Sequence, residues 1–310
     1  MSTPTIRLNT PAQIAASLPY LLGFTPQESL ALLWLRDGGL WVTQRVDLPA
    51  SLDHDEISAY QEGVFGNQVA EQADGVIPVV VTANTGAAAD RVLAMLTQGM
   101  ARQDQMLDRG LITDLSIVRG YGRSQSEPVH NLDSPLASGT QRPVHNRVQL
   151  EKEYAPADTI SDDALAAQRG GGSRDLAWIV DVLDDAGAAV LAGGPITEEQ
   201  TAALMVAFED IRARDLFVGR MAHCDTKPVE ATARLAQRSP ENVRATCATI
   251  AALAAYLSGD GVRANIALDV ALSVDPENSL AQLVAMSIKT AVSPQDVREM
   301  LKQADVEVVA

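Results

Sequence analysis

The chain has 310 residues, long enough for a sizeable core in one large or two small domains. It carries 24 Lys and Arg against 40 Asp and Glu, a net charge of −16, with −6 over residues 1–155 and −10 over 156–310. Nucleic-acid affinity depends on basic side chains neutralising phosphates, so an acidic excess in both halves excludes nucleic acid and anionic membrane surfaces as expected partners.

Hydrophobic residues make up 46% of the chain but aromatics only 4%, so Ala, Val and Leu must do most of the packing. Cys224 and Cys247 have no C-x-x-C partner, a reduced usage that is neither a disulfide framework nor a zinc site. Met1 to Thr10 lacks the basic and apolar regions of a signal peptide, and no apolar run approaches the roughly 18 residues of a membrane span. The expected location is cytoplasmic.

In chain order, Thr10 is a predicted N-cap with Pro11 at the first helical position; Ile14, Leu18, Leu21 and Leu22 form an apolar face, and Gly23 ends the helix. Ser29–Arg36 and Leu40–Asp47 are predicted strands joined by Asp37-Gly38-Gly39, a hairpin signal. Leu30, Leu32, Leu33, Trp34 and Leu35 leave no polar face, which predicts a strand buried on both sides. A helix is predicted over 53–71, a central strand over 76–82, a long helix over 87–109 and a strand over 112–119. Strand, helix and strand make a βαβ unit with both strands parallel. From Gly120 to Gln149 glycine, proline and small polar residues dominate, with Val144–Leu150 as a last strand.

Gly170-Gly171-Gly172 is the most flexible point by composition. Beyond it helices are predicted over 173–185, 197–212, 227–238, 241–257, 262–274, 278–290 and 294–303, with Thr197 and Ser293-Pro294 as start signals. The expected fold class is α/β: a mixed sheet with helices over 1–155, then an all-α domain of helical hairpins over 156–310. Ala251 to Leu283 has the pattern of a tetratricopeptide-like hairpin. Ala264 and Ala271 let neighbouring helices approach, and Leu268 fills the gap between them. Only one such repeat is readable, whereas arrays need about three to bury a continuous core.

Several motifs carry a family resemblance. Pro19-Tyr20-Leu21-Leu22-Gly23-Phe24, then Pro26-x-x-Ser29-Leu30, a hairpin and Asp47-Leu48-Pro49 stand at one end. Leu257-Ser258-Gly259-Asp260-Gly261, followed by Ala264-Asn265-Ile266-Ala267-Leu268, stands at the other, with Arg212-Ala213-Arg214-Asp215 between them. Together these resemble the domain-of-unknown-function family 4192 of actinobacteria and their phages, a resemblance that implies no established activity. Gly122, Arg123 and Ser126 also resemble a family feature. Relatives often place a cysteine just after it; this chain has none there, so no shared thiol or metal chemistry is implied.

In open α/β sheets ligands bind beyond the carboxyl ends of parallel strands. If 76–82 and 112–119 are parallel, the loops after them share a rim. Asn84, Thr85, Arg119, Tyr121, Arg123 and Ser126 then become candidate ligand-binding residues for an anionic or polar molecule, with Gly86 opening a helix N-terminus. The alternative is a set of polar loops capping a structural sheet. No G-x-G-x-x-G, Walker A or G-x-S-x-G motif occurs. The tetrapeptide Pro-Val-His-Asn recurs at 128–131 and 143–146, and His130, His145 and Asp133 would suffice for an open divalent site. A 14-residue stretch between the two histidines fits no compact metal motif, so no metal and no cofactor is assigned.

Two readings of function follow. One is a protein-interaction or assembly module, with a protein partner or self-association. The other is an enzyme or small-ligand-binding protein with its site at the strand-end rim. No catalytic residue is named, and the first reading is preferred because the helical half is the more specifically patterned.

Overall fold

A computed structural model describes residues 7–100, 103–130, 133–137, 143–170 and 174–309, with side chains to Gln303. The chain divides into two compact units, Met1–Arg147 with Lys289–Ala291, and Val148–Ile288 with Val292–Ala310.

The first unit is built on a six-stranded mixed sheet of order β2-β1-β3-β4-β5-β6. Thr10 caps α1 (Pro11–Leu22) by accepting from the Gln13 N–H, and Gly23, at φ +74°, closes it. β1 (Ser29–Arg36) and β2 (Gly39–Asp47) form the expected hairpin, its turn made by Asp37 and Gly38, both left-handed. β1 is buried on both faces. Leu30, Leu32 and Trp34 pack on the side of α2 (His54–Phe65), α3 (Gln68–Gln72) and α4 (Ala87–Thr97), while Ala31 and Leu33 pack on the side of α1. β3 (Gly75–Val81) is antiparallel to β1 and parallel to β4 (Leu111–Thr113).

Four sequence expectations are corrected here. The helix over 53–71 breaks into α2 and α3 at Gly66 and Asn67. A Cβ on Gly66 would lie 2.5 Å from the Glu62 carbonyl oxygen, and Asn67 caps α3. The helix over 87–109 breaks into α4 and α5 (Gln103–Asp108), with Gly99 at φ +77° after α4. The strand over 112–119 folds into a hairpin of β4 and an antiparallel β5 (Ile117–Gly120). Asp114 makes that turn: its Oδ1 accepts from the N–H groups of Ser116 and Ile117, at 2.8 and 2.9 Å, and Leu115 sits at φ +72°. β6 (Glu127–Pro128) then pairs with β5. The strand over 144–150 is absent; Val144 makes a single bridge to Phe24, and Arg147–Glu151 is a short helix, α6.

In the second unit no strand occurs among the described residues. Its helices are α7 (Asp162–Gly170), α8 (Leu176–Val182), α9 (Ala188–Leu191), α10 (Glu198–Ala207), α11 (Ile211–His223), α12 (Val229–Arg238), α13 (Glu241–Leu257), α14 (Gly261–Val274), α15 (Ser279–Lys289) and α16 (Pro294–Val309). The helix expected over 173–185 runs on through a π-turn, Leu183–Gly187, into α9. The one expected over 197–212 ends at Ala207, because Asp210 starts a new helix by capping the Arg212 N–H. Gly171 and Gly172 of the glycine run lie outside the described residues.

Alanine explains how so few aromatics suffice. Ala248, Ala251, Ala255, Ala264, Ala267 and Ala271 of α13 and α14 are wholly buried, with Leu268 beside them, and small side chains at a helix contact allow close backbone approach. Two arginines tie the bundle. Arg263 is buried and gives Nε and Nη2 to Glu153 and Nη1 to Asp260, at 2.8 to 3.1 Å. Arg298 donates through Nη1 to the carbonyls of Met221, Ala222 and Cys224 at the end of α11, and through Nη2 to that of Leu257 at the end of α13. It satisfies acceptors that a helix end leaves open.

Candidate functional site

Because β5 runs antiparallel to β4, the end of β5 lies level with the start of β4, so the two loops do not leave the sheet from parallel strand ends. Several of the expected residues meet nonetheless. Arg119 pairs across the ladder with Ile112, which places its side chain on the face that α4 covers. There the first turn of α4 and the loop before it fold over it.

Arg119 is 7% exposed, and all five of its N–H groups are used. Nε donates to the Thr85 carbonyl at 2.6 Å; Nη2 donates to the Gly86 carbonyl at 2.8 Å and to Asp90 Oδ2 at 2.9 Å. Nη1 donates to Asp90 Oδ1 at 2.9 Å and to the carbonyls of Gly120 and Arg123, both at 3.2 Å. Asp90 also accepts the Gly122 N–H at 2.8 Å. Burial alone would raise the Asp90 carboxyl. The hydrogen bonds from Arg119 and Gly122, with the charge of Arg119, outweigh it and hold the group below the ordinary carboxylate range.

The other expected residues divide. Thr85 takes part through its carbonyl oxygen only. Asn84 makes a local turn, its Oδ1 accepting the Gly86 N–H. Tyr121 is half-buried, its ring against the α4-side core and its N–H on the Gly110 carbonyl. Arg123 and Ser126 are exposed, and the Arg123 guanidinium has no ion pair among the described residues. Asp90, the anion that holds the cluster, was not among the sequence candidates. Its signal was an acid in the first turn of the helix that follows a buried strand. Among the described residues no group of three His, Cys, Asp or Glu side chains is arranged to hold a metal ion; the Asp133 carboxylate instead accepts the His130 N–H at 2.8 Å.

A second feature lies in the helical unit. A groove of about 510 Å³ is lined by Leu183, Asp184, Leu191, Arg220, Cys224 and Asp225 among others, beside the π-turn. Gln200 Nε2 donates to both oxygens of Asp185, and Gly187 packs against Leu183 and Phe217. Asp184 pairs with Arg220 at 2.8 Å on the groove wall. π-turns recur at functional sites, but here neighbouring side chains already engage both aspartates.

The third feature is the outer side of α15. Ala281 and Val284 are buried, one helical turn apart, whereas Leu283 is 64% and Met286 58% exposed. On α16 Met300 is 52% exposed. Leu283 and Met286 share a face at i, i+3 spacing, off the buried line of the same helix. No helix among the described residues is long and apolar enough to cross a membrane.

A family model described as "Domain of unknown function (DUF4192)" matches residues 11–120 and 123–295. No curated protein and no solved structure matches the chain.

Proposed function

The chain belongs to the DUF4192 family, matched over nearly its whole length, and from that premise we propose that it is a protein-interaction module whose partner docks on α15. The observation carrying this reading is the pair of large apolar side chains, Leu283 and Met286, on the outer side of that helix. The α13–α14 hairpin continued by α15 and α16 is the tetratricopeptide-like part of the reading. Apolar anchors on a helix face suit an amphipathic helix that presents its own anchors at i, i+3 and i+4. The chain's net charge of −16 favours a partner with Lys and Arg flanking those anchors, since opposite charge steers encounter and suppresses wrong partners.

The test is recovery of partners from the native cell with the intact chain and with a Leu283→Glu/Met286→Glu variant, followed by direct titration of each purified partner. A partner whose affinity falls at least tenfold with the variant, while the fold is unchanged, supports the reading. Equal affinity for both chains ends it.

The second reading is a ligand at the loops around β5, cytoplasmic location being common to both. What favours it is Arg123, an exposed cation with no ion pair among the described residues of an acidic chain. What weighs against it is Arg119, whose donors are all engaged by its own chain.

A further inference from the structure

The two edges of the sheet are unlike. β6 has two residues and ends in Pro128, so it offers little to pair with. β2 has nine residues and among the described residues pairs only with β1, leaving a row of N–H and C=O groups along its outer side. Sheets ordinarily protect such an edge with lysine, proline, a central bulge or an inward charge. Val42 to Val46 contains neither lysine nor proline, and the bulge of β2, which leaves Trp41 without a partner where Trp34 pairs with Val42 and Leu35 with Leu40, lies at the turn end, outside that stretch. The charge of Arg45 is turned along its own chain, onto Asp47, the Gln27 carbonyl and the Phe24 ring.

We infer that β2 pairs antiparallel with β2 of a second copy of this chain, about a two-fold axis at Gln44. Side chains directly opposite in an antiparallel pair share a face, so with like faces continued the axis must pass through a residue. At Gln44 it sets Val42 opposite Val46 twice, Thr43 opposite Arg45 twice, and Gln44 opposite itself. At Thr43 it would set Val42 against Gln44, and at Arg45 it would bring two like charges together. The Gln44 register also prolongs an apolar face. Val42 and Val46 pack against the cluster of Leu30, Leu32 and Trp34, and the second copy's valines carry that face across the axis. The contact is isologous and closes on itself as a dimer. It does not depend on the α15 reading, since it uses a different surface.

The experiment is sedimentation velocity on the full chain, on Gln44→Lys, on Gln44→Glu, and on an equimolar mixture of the two. Gln44 accepts a hydrogen bond from Trp34 Nε1, so each variant is first compared with the parent by circular dichroism, and Thr43→Lys, which sets a lysine opposite Arg45 of the second copy, is a further variant expected to be a monomer. The parent is expected to be a dimer, each charged variant alone a monomer, and the mixture a dimer again, because opposite charges then meet near the axis. A monomeric parent, a dimer that persists in the single variants, or a mixture that does not reassociate overturns the inference.

Discussion

Arg119 and Asp90 meet end-on, Nη1 to Oδ1 and Nη2 to Oδ2, each at 2.9 Å, the one reaching from β5 and the other from the first turn of α4. The pair is embedded in backbone: Thr85, Gly86, Gly120 and Arg123 give carbonyls to the arginine, and Gly122 gives its N–H to the aspartate. A bidentate pair of this kind is geometrically specific, and removing the arginine takes the donors from the partly exposed Asp90 carboxylate and from four backbone carbonyls. Arg119→Ala is therefore expected to lower unfolding stability by about 1–3 kcal/mol, the cost of leaving polar groups without their partner. Arg123→Ala, at an exposed position, should stay within about 0.5 kcal/mol of the parent. Urea midpoints measure both; equal midpoints for the two variants would show that the Arg119 cluster does not hold the fold.

The same pair makes a pH forecast. The folded-state carboxyl of Asp90 is held down, so its contribution is present in full above the unfolded value, near pH 4, and is lost as pH falls through the lower folded value. The stability difference between parent and Asp90→Asn should be constant at neutral pH and shrink as the solution is acidified below about pH 4. A difference that stays constant through the acid range would show that Asp90 is not depressed.

How much of this was legible in the sequence depended on which residues carried the signal. The two-sided burial of β1 was readable because Leu30 to Leu35 has no polar position, and α13 and α14 because their alanine and leucine spacing is helical throughout. The breaks were not readable by period. Gly66, Gly99 and Asp114 act through one backbone angle or one side-chain cap, and an apolar pattern runs straight across them. The reversal at Asp114 mattered most for the candidate site, because it turned an expected parallel strand into a hairpin and moved the end of β5. Arg119 lies beside Thr85 and Gly86 by donating to their carbonyl oxygens, a contact within the chain that a ligand-binding rim does not require. That its donors face its own chain depends on Asp90 being one helical turn into α4, a relation between two elements that spacing within either cannot show.

The helical hairpin offers a packing test. Ala264 and Ala271 are wholly buried and Leu268 is nearly so. Ala264→Leu or Ala271→Leu should overpack the contact and destabilise by about 1–3 kcal/mol. Leu268→Ala should cost about 2–5 kcal/mol through the cavity it leaves. Unchanged denaturation midpoints in all three would place these side chains in solvent and contradict the hairpin.

The cysteines separate by environment. Cys247 is buried against Met205, and burial pushes its thiol up to about 12, while Cys224 is partly exposed at the groove. Thiolate is the reactive form, so a thiol reagent at neutral pH should label Cys224 in the native chain and reach Cys247 only after denaturation. Rapid labelling of both thiols in the native chain would show that the α13 core opens.

Site-specific photocrosslinking in the native cell tests docking on α15 most directly. A photoreactive residue is placed at Leu283, at Met286 or at Arg123 of the full chain, and adducts are compared after irradiation. The docking reading predicts a discrete protein adduct of one mass from positions 283 and 286 and none from 123. Adducts from position 123, with 283 and 286 silent, would contradict it.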